Sequence, residues 1–168
     1  MTTVPILLVL TLFILASPQQ FLPKGQSNHF PVNDLHSKDI ARSGKDSFWK
    51  VDQNGWSVII SAQPVRPNAV TKVTFYMETG DAFIIGCGMK DIEQLKTNDI
   101  CFMKNGVEYY TPNGNKCKNI DQTYYASCAF EGDNITMIID LRPYENHVSF
   151  AKNGIPMGIA YSGLNEWG

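Results

Sequence analysis

Along much of the chain, apolar and polar residues alternate. In AVTKVTFYME at 69–78, Val73, Phe75 and Met77 fall on one side and Thr74 and Tyr76 on the other. A two-residue period marks a strand with one buried face. The same period runs through NITMIIDL at 134–141 and HVSFA at 147–151. It predicts Ile135, Met137, Ile139, Val148 and Phe150 facing inward and leaves Ile138 open. DAFIIGCG at 81–88 is nearly continuous in its apolar residues, as expected of a strand covered on both faces. WSVIISA at 56–62, ICFM at 100–103 and VEYY at 107–110 add further short strands.

Turn signals separate these runs. Asn-Gly recurs at 54–55, 105–106, 113–114 and 153–154. That pair reaches positive φ at both central positions of a tight hairpin at low steric cost. Glu131-Gly132-Asp133 reads as a turn in which the aspartate bonds backbone amides. Residues 142–146 read as the crossing between two strands. Only KDIEQLK at 90–96 hints at a helix, and about two turns do not stand alone. Many short strands with close turn signals predict an all-β fold, an antiparallel two-sheet β-sandwich. No internal repeat suggests a propeller or solenoid.

The N-terminal part departs from this pattern. Residues 1–22 carry no charged side chain, and 4–16 is almost wholly apolar. The run is short for a membrane span, which needs about 20 residues, and suits a signal-peptide core with cleavage near Ala16-Ser17. An uncleaved anchor or a buried N-terminal segment are the alternatives. An edge strand is not expected, because the run lacks alternation and opens with Pro5. Residues 17–47 are rich in Pro, Gly, Ser, Asn and Gln and hold no period. Loose or extended chain is expected there. The division is therefore a signal peptide or anchor at 1–22, a linker at 23–47 and a sandwich at 48–168. Secretory or membrane-anchored localisation follows from residues 4–16, and a membrane partner only if 1–22 stays as an anchor.

Composition narrows the function. The 168 residues suffice for one domain with a core, with 43% hydrophobic and 18% charged residues. The 14 Lys+Arg face 16 Asp+Glu without a run of either sign, which argues against nucleic acid. Lys116 and Lys118 read as a solvated loop tip. His29 and His36 lie in the linker, and His147 reads as a surface or turn residue. No metal-binding histidine spacing, P-loop, GxSxG or GxGxxG is present, so neither a metal nor a cofactor is implied. Gly86-Cys87-Gly88 reads as a place for close sheet packing.

Cys87, Cys101, Cys117 and Cys128 contain no CxxC. They allow two disulfides in any of three pairings if the chain is secreted, or free thiols if it is not, with Cys87 and Cys101 in apolar strand settings. Asn134-Ile135-Thr136 matches the N-glycosylation sequon. At the mouth of a strand it reads as fortuitous, and it matters only in a secretory setting.

With the strands placed, the second half resembles a SPRY domain. GDNITMIIDL at 132–141, VSFAKNG at 148–154 and MGIA at 157–160 carry the resemblance. The family scaffold positions would be Gly132, Asp133, Asp140, Phe150, Asn153 and Gly154. Weaker matches lie in WSV at 56–58, FYME at 75–78, GDAFIIGCG at 80–88 and NGVEYYTPNG at 105–114. The resemblance covers about residues 48 to 168. Thr136 stands where the family has glycine, so that strand is expected to pack somewhat differently. Cys87-Gly88 stands where Val-Ala is common. The chain stops where the family usually continues into further strands, which would leave an unpaired edge.

The resemblance implies a non-catalytic protein-interaction module and, as the alternative to the secretory reading of residues 4–16, a cytoplasmic location. It would bind a protein or peptide through loops at one end of the sandwich. Loops 62–69, 89–99 and 111–125 are the candidates, with Arg66, Tyr109, Tyr110, Tyr124 and Tyr125 as contacts, because Tyr and Arg dominate binding hot spots. Two other classes compete. A secreted sandwich hydrolase acting on carbohydrate would need two carboxylates about 5–10 Å apart, with Asp133 and Asp140 as the first to test. A truncated remnant without activity would behave as a poorly packed domain.

Overall fold

The structure is a computed structural model and describes residues 6–13, 19–22, 32–33, 40–43, 47–50, 56–61, 65–78, 82–89, 106–118 and 121–164. Among the described residues all the elements are strands. The first six are β1 (Ile6–Phe13), β2 (Gln19–Leu22), β3 (Val32–Asn33), β4 (Ile40–Ser43), β5 (Ser47–Lys50) and β6 (Trp56–Ser61). Then come β7 (Val70–Met77), β8 (Ala82–Met89), β9 (Gly106–Tyr110), β10 (Asn115–Lys118) and β11 (Asp121–Tyr124). The chain closes with β12 (Asn134–Asp140), β13 (His147–Lys152) and β14 (Ile155–Ser162).

They form two seven-stranded sheets, in the orders β11-β10-β9-β8-β1-β6-β3 and β14-β13-β12-β7-β2-β5-β4. Every pairing is antiparallel. Each sheet ends in a three-strand meander, β9-β10-β11 in one and β12-β13-β14 in the other.

The alternation read from sequence sets the core. Val73, Phe75 and Met77 of β7 and Ile135, Met137 and Ile139 of β12 are buried. They meet Phe83, Ile85 and Cys87 of β8, Val107 and Tyr109 of β9, and Val148 and Phe150 of β13 in one cluster spanning both sheets. Each such large side chain contributes about 1.5–3 kcal/mol by leaving water. Ile138 faces outward and is half-buried. The apolar run of β8 is buried at every position from 83 to 88, as its lack of alternation implied. At Gly86 an added Cβ would collide with the Val107 carbonyl oxygen of β9, so glycine permits the close approach of these two strands.

Segments of the N-terminal third take strand positions in both sheets. Residues 6–13 form β1, an interior strand registered on β8 from Ile6↔Met89 to Phe13↔Ala82, with β6 on its other side. An uncharged, near-continuous apolar run suits a strand paired on both sides as well as it suits a signal-peptide core. The linker segment is extended but not loose: β3 pairs with β6, and β4 pairs with β5. The helix hint at 90–96, the strand at 100–103, loop 89–99 beyond Met89, and His29, His36 and Cys101 fall outside the described residues.

Turn chemistry behaves as its residues require. Asn153 and Gly154 have φ of 52° and 81° between the paired residues Lys152 and Ile155, a two-residue hairpin with both centres positive. Gly114, φ 70°, closes the β9–β10 turn, and its amide donates to the Tyr110 carbonyl at 3.1 Å. Gly132, φ 87°, lies in a turn where the Phe130 amide donates to Asp133 Oδ2 at 2.9 Å. Thr136 lies on the outer face, and its hydroxyl bonds that of Thr74, its partner in register, at 2.8 Å.

Candidate functional site

Strand direction sorts the loops into two ends. At one end Val70 pairs with Asp140 and His147 with Ser162. The Leu141 amide donates to the Ala69 carbonyl at 2.9 Å, and the Gly163 amide to the Asn146 carbonyl at 3.0 Å. Segments 65–69, 141–146 and 163–164 therefore form one surface. At the other end the Gly132 amide donates to the Met77 carbonyl at 2.7 Å and the Ala129 amide to the Thr111 carbonyl at 2.9 Å. That groups 111–114, 125–133 and 153–154.

The first end is built around Asp140, the buried last residue of β12. Its Oδ1 accepts from the Arg142 amide and Nε at 3.0 Å, and its Oδ2 from Nη2 at 2.6 Å. These Arg142 bonds outweigh burial and hold the Asp140 carboxyl down at about 2. The fork ties the start of the β12–β13 turn to its strand. The Glu145 amide then donates to the Arg142 carbonyl at 3.1 Å.

On this fixed turn Tyr144 stands at φ 73° with its side chain fully exposed (102%). A bulky residue in the left-handed region costs roughly 1–2 kcal/mol, and glycine or asparagine would avoid most of that. Asn146 at 41° and Asn68 at 56° are also left-handed here, so three of the four such non-glycine residues among those described cluster at this end. Arg66, Pro67, Arg142, Pro143 and Glu145 are also exposed at this end.

Asp140, Glu145 and His147 bring one possible ligand atom each within 4.8 Å of one another. Carboxylate and imidazole are donors a divalent ion accepts. Yet both Asp140 oxygens already face the Arg142 guanidinium, so a metal ion would sit against a fixed positive charge. His147 Nδ1 lies 3.7 Å from Glu145 Oε2. The Arg142–Asp140 ion pair, with Glu145 close to His147, braces the turn.

The residues expected to touch a partner scatter. Arg66 is exposed at the first end. Tyr109 is wholly buried: its ring centroid lies 5.2 Å from that of Phe150 and its hydroxyl donates to the Ser127 carbonyl at 2.6 Å. It is a core residue and drops out of any contact surface; burial pushes its hydroxyl pKa upward. Tyr110 is partly buried and Tyr124 is 74% exposed on β11. Tyr125 is half-buried, and its hydroxyl donates to the Gly158 carbonyl. Alternation cannot tell which face of a strand such as β9 looks inward without its partners, so Tyr109 was misplaced. Tyr144 went unnoticed because no sequence signal marks a tyrosine for positive φ.

Lys116 is not a solvated tip. Its Nζ donates to the Ala160 carbonyl at 2.7 Å and lies 5.7 Å and 5.2 Å from the ring centroids of Tyr125 and Tyr161. Among the cysteines, Cys117 is disulfide-bonded while Cys87 and Cys128 are free. Burial pushes the Cys87 thiol up to about 12, so it is a packed apolar group rather than a nucleophile.

Asp133 and Asp140 bracket β12. The former bonds the Phe130 amide and the Asn153 side-chain amide, the latter Arg142. Seven positions of strand separate them by about 23 Å, so these two cannot flank one glycosidic bond. No family model matches the chain, and no curated protein does either.

Proposed function

We propose that the protein is a SPRY-type interaction module that binds a peptide or protein at the end formed by 65–69, 141–146 and 163–164. The observation that carries this is Tyr144, a fully exposed aromatic kept in a costly backbone conformation on a turn anchored by the Asp140–Arg142 fork. Strain of this kind persists where the surrounding structure enforces it, and it concentrates at functional positions. A tyrosine carried on a fixed turn, at an end that also exposes Arg66 and Arg142, supplies apolar area and charge of the make-up of a hot spot. The family resemblance, whose members bind through loops at one sandwich end, supports the same reading.

The test is selection of peptides from a displayed library on the folded full chain, followed by titration against variants. Tyr144→Gly should weaken a selected peptide at least tenfold while raising fold stability by roughly 1 kcal/mol, because it removes the left-handed strain. Arg66→Ala should weaken binding with unchanged stability. Peptides that bind equally well to Tyr144→Gly, Arg66→Ala and Arg142→Ala together would overturn the assignment.

A further inference from the structure

We infer that Asn134 is the attachment site of an N-linked oligosaccharide, added as the chain enters an oxidising secretory compartment. Asn134-Ile135-Thr136 supplies the acceptor amide and the hydroxyl two residues on, with no proline between. The sequon alone is weak, but two structural observations give it a setting.

The first is placement. Asn134 is the opening residue of β12, on the solvent side of an alternation in which Ile135 is fully buried. Its backbone is held firmly: its amide donates to Asn153 Oδ1 at 2.8 Å, and its carbonyl accepts from the Asn153 amide at 2.8 Å. The side-chain amide takes no part in these bonds. A sugar on Nδ2 would leave the sheet beside Tyr76, its partner in register, without breaking any of them.

The second is redox state. Cys117 is disulfide-bonded, and such bonds persist in the oxidising compartments where N-glycosylation takes place.

The transfer is balanced by a polyprenyl-diphosphate oligosaccharide as donor. A bond forms between Asn134 Nδ2 and C1 of the first sugar, and the bond from C1 to the lipid diphosphate breaks. Nδ2 loses a proton, and the lipid diphosphate departs with the electron pair. Timing follows from Thr136. In the folded protein its hydroxyl is partly buried and bonded to Thr74, so the acceptor must be read before β12 pairs with β7. A glycan here would lie the length of β12 away from Tyr144, about 20 Å, and leave the proposed binding end open.

The experiment is translation of the full chain with and without endoplasmic-reticulum microsomes, followed by peptide N-glycosidase and protease protection. A protease-protected product shifted by one glycan is expected, with the shift abolished by the glycosidase. Asn134→Gln and Thr136→Ala should lose the shift, while Thr136→Ser should keep it. Refolded chain added to opened microsomes should stay unmodified. A protected chain without the glycan, or a chain left outside the microsomes, would overturn the inference. Because Asn134 is remote from Tyr144, Asn134→Gln should leave peptide binding unchanged, so the two readings fail independently.

Discussion

At the scale of single residues, Asp140 shows how a strand end becomes a support. Its carboxyl titrates at about 2 in the folded protein against an ordinary value of 3.8, because Arg142 bonds its charged form. The unfolded chain takes up this proton first as pH falls. The stabilisation is thus complete above about pH 4 and is lost as pH drops toward about 2. Asp133 adds to the same window: burial alone would raise its pKa, but the Phe130 amide, Asn153 and Lys152 together lower it. Urea unfolding in steps from pH 5 to pH 2 should show a shallower loss of stability for Asp140→Asn than for the parent. Equal slopes would show that Arg142 does not stabilise the charged form. The sequence marked Asp140 as a strand end, but not its arginine fork, because two neighbouring residues of opposite charge are common and rarely lock together.

At the scale of elements, the β13–β14 hairpin shows local chemistry and tertiary contact acting together. Asn153 supplies a left-handed residue, bonds the Asn134 amide through Oδ1 and donates to Asp133 Oδ1 at 2.7 Å. Asn153→Ala should cost roughly 2 kcal/mol, combining the backbone penalty with lost hydrogen bonds at a partly exposed site. A fall of the urea midpoint with unchanged slope would show it; an unchanged midpoint would mean the turn is set by the strands alone. The hairpin was legible because Asn-Gly acts over four residues. The character of β14 was not. It is the terminal strand of its sheet among the described residues; Pro156 removes a donor, Gly158 sits at φ 89° and the register to β13 shifts twice. Such irregularities protect an edge from further pairing.

At the scale of the molecule, two side chains from one sheet's margin close onto the margin of the other. Lys116 of β10 and Tyr125, just after β11, donate to the Ala160 and Gly158 carbonyls of β14. The Lys116 ammonium lies near two tyrosine rings, which favours it electrostatically. Lys116→Met should keep the fold and its core but loosen this seam. Amide exchange at 157–161 should then quicken while that of β12 is unchanged. Uniform change across both sheets would show instead that Lys116 supports global stability.

The sequence by itself determined the strand-rich class, the inward faces of β7, β12 and β13, the doubly covered β8 and the Asn153-Gly154 turn. All of these depend on periods of two and on glycine and asparagine sterics, which act between near neighbours. Tertiary structure alone decided that residues 6–13 take an interior place, that Tyr109 is core and Lys116 a clasp, and that Tyr144 stands strained and exposed at the same end as Arg66. Those outcomes depend on partners up to several tens of residues away in sequence, whose approach fixes which face is inside and which loops share an end.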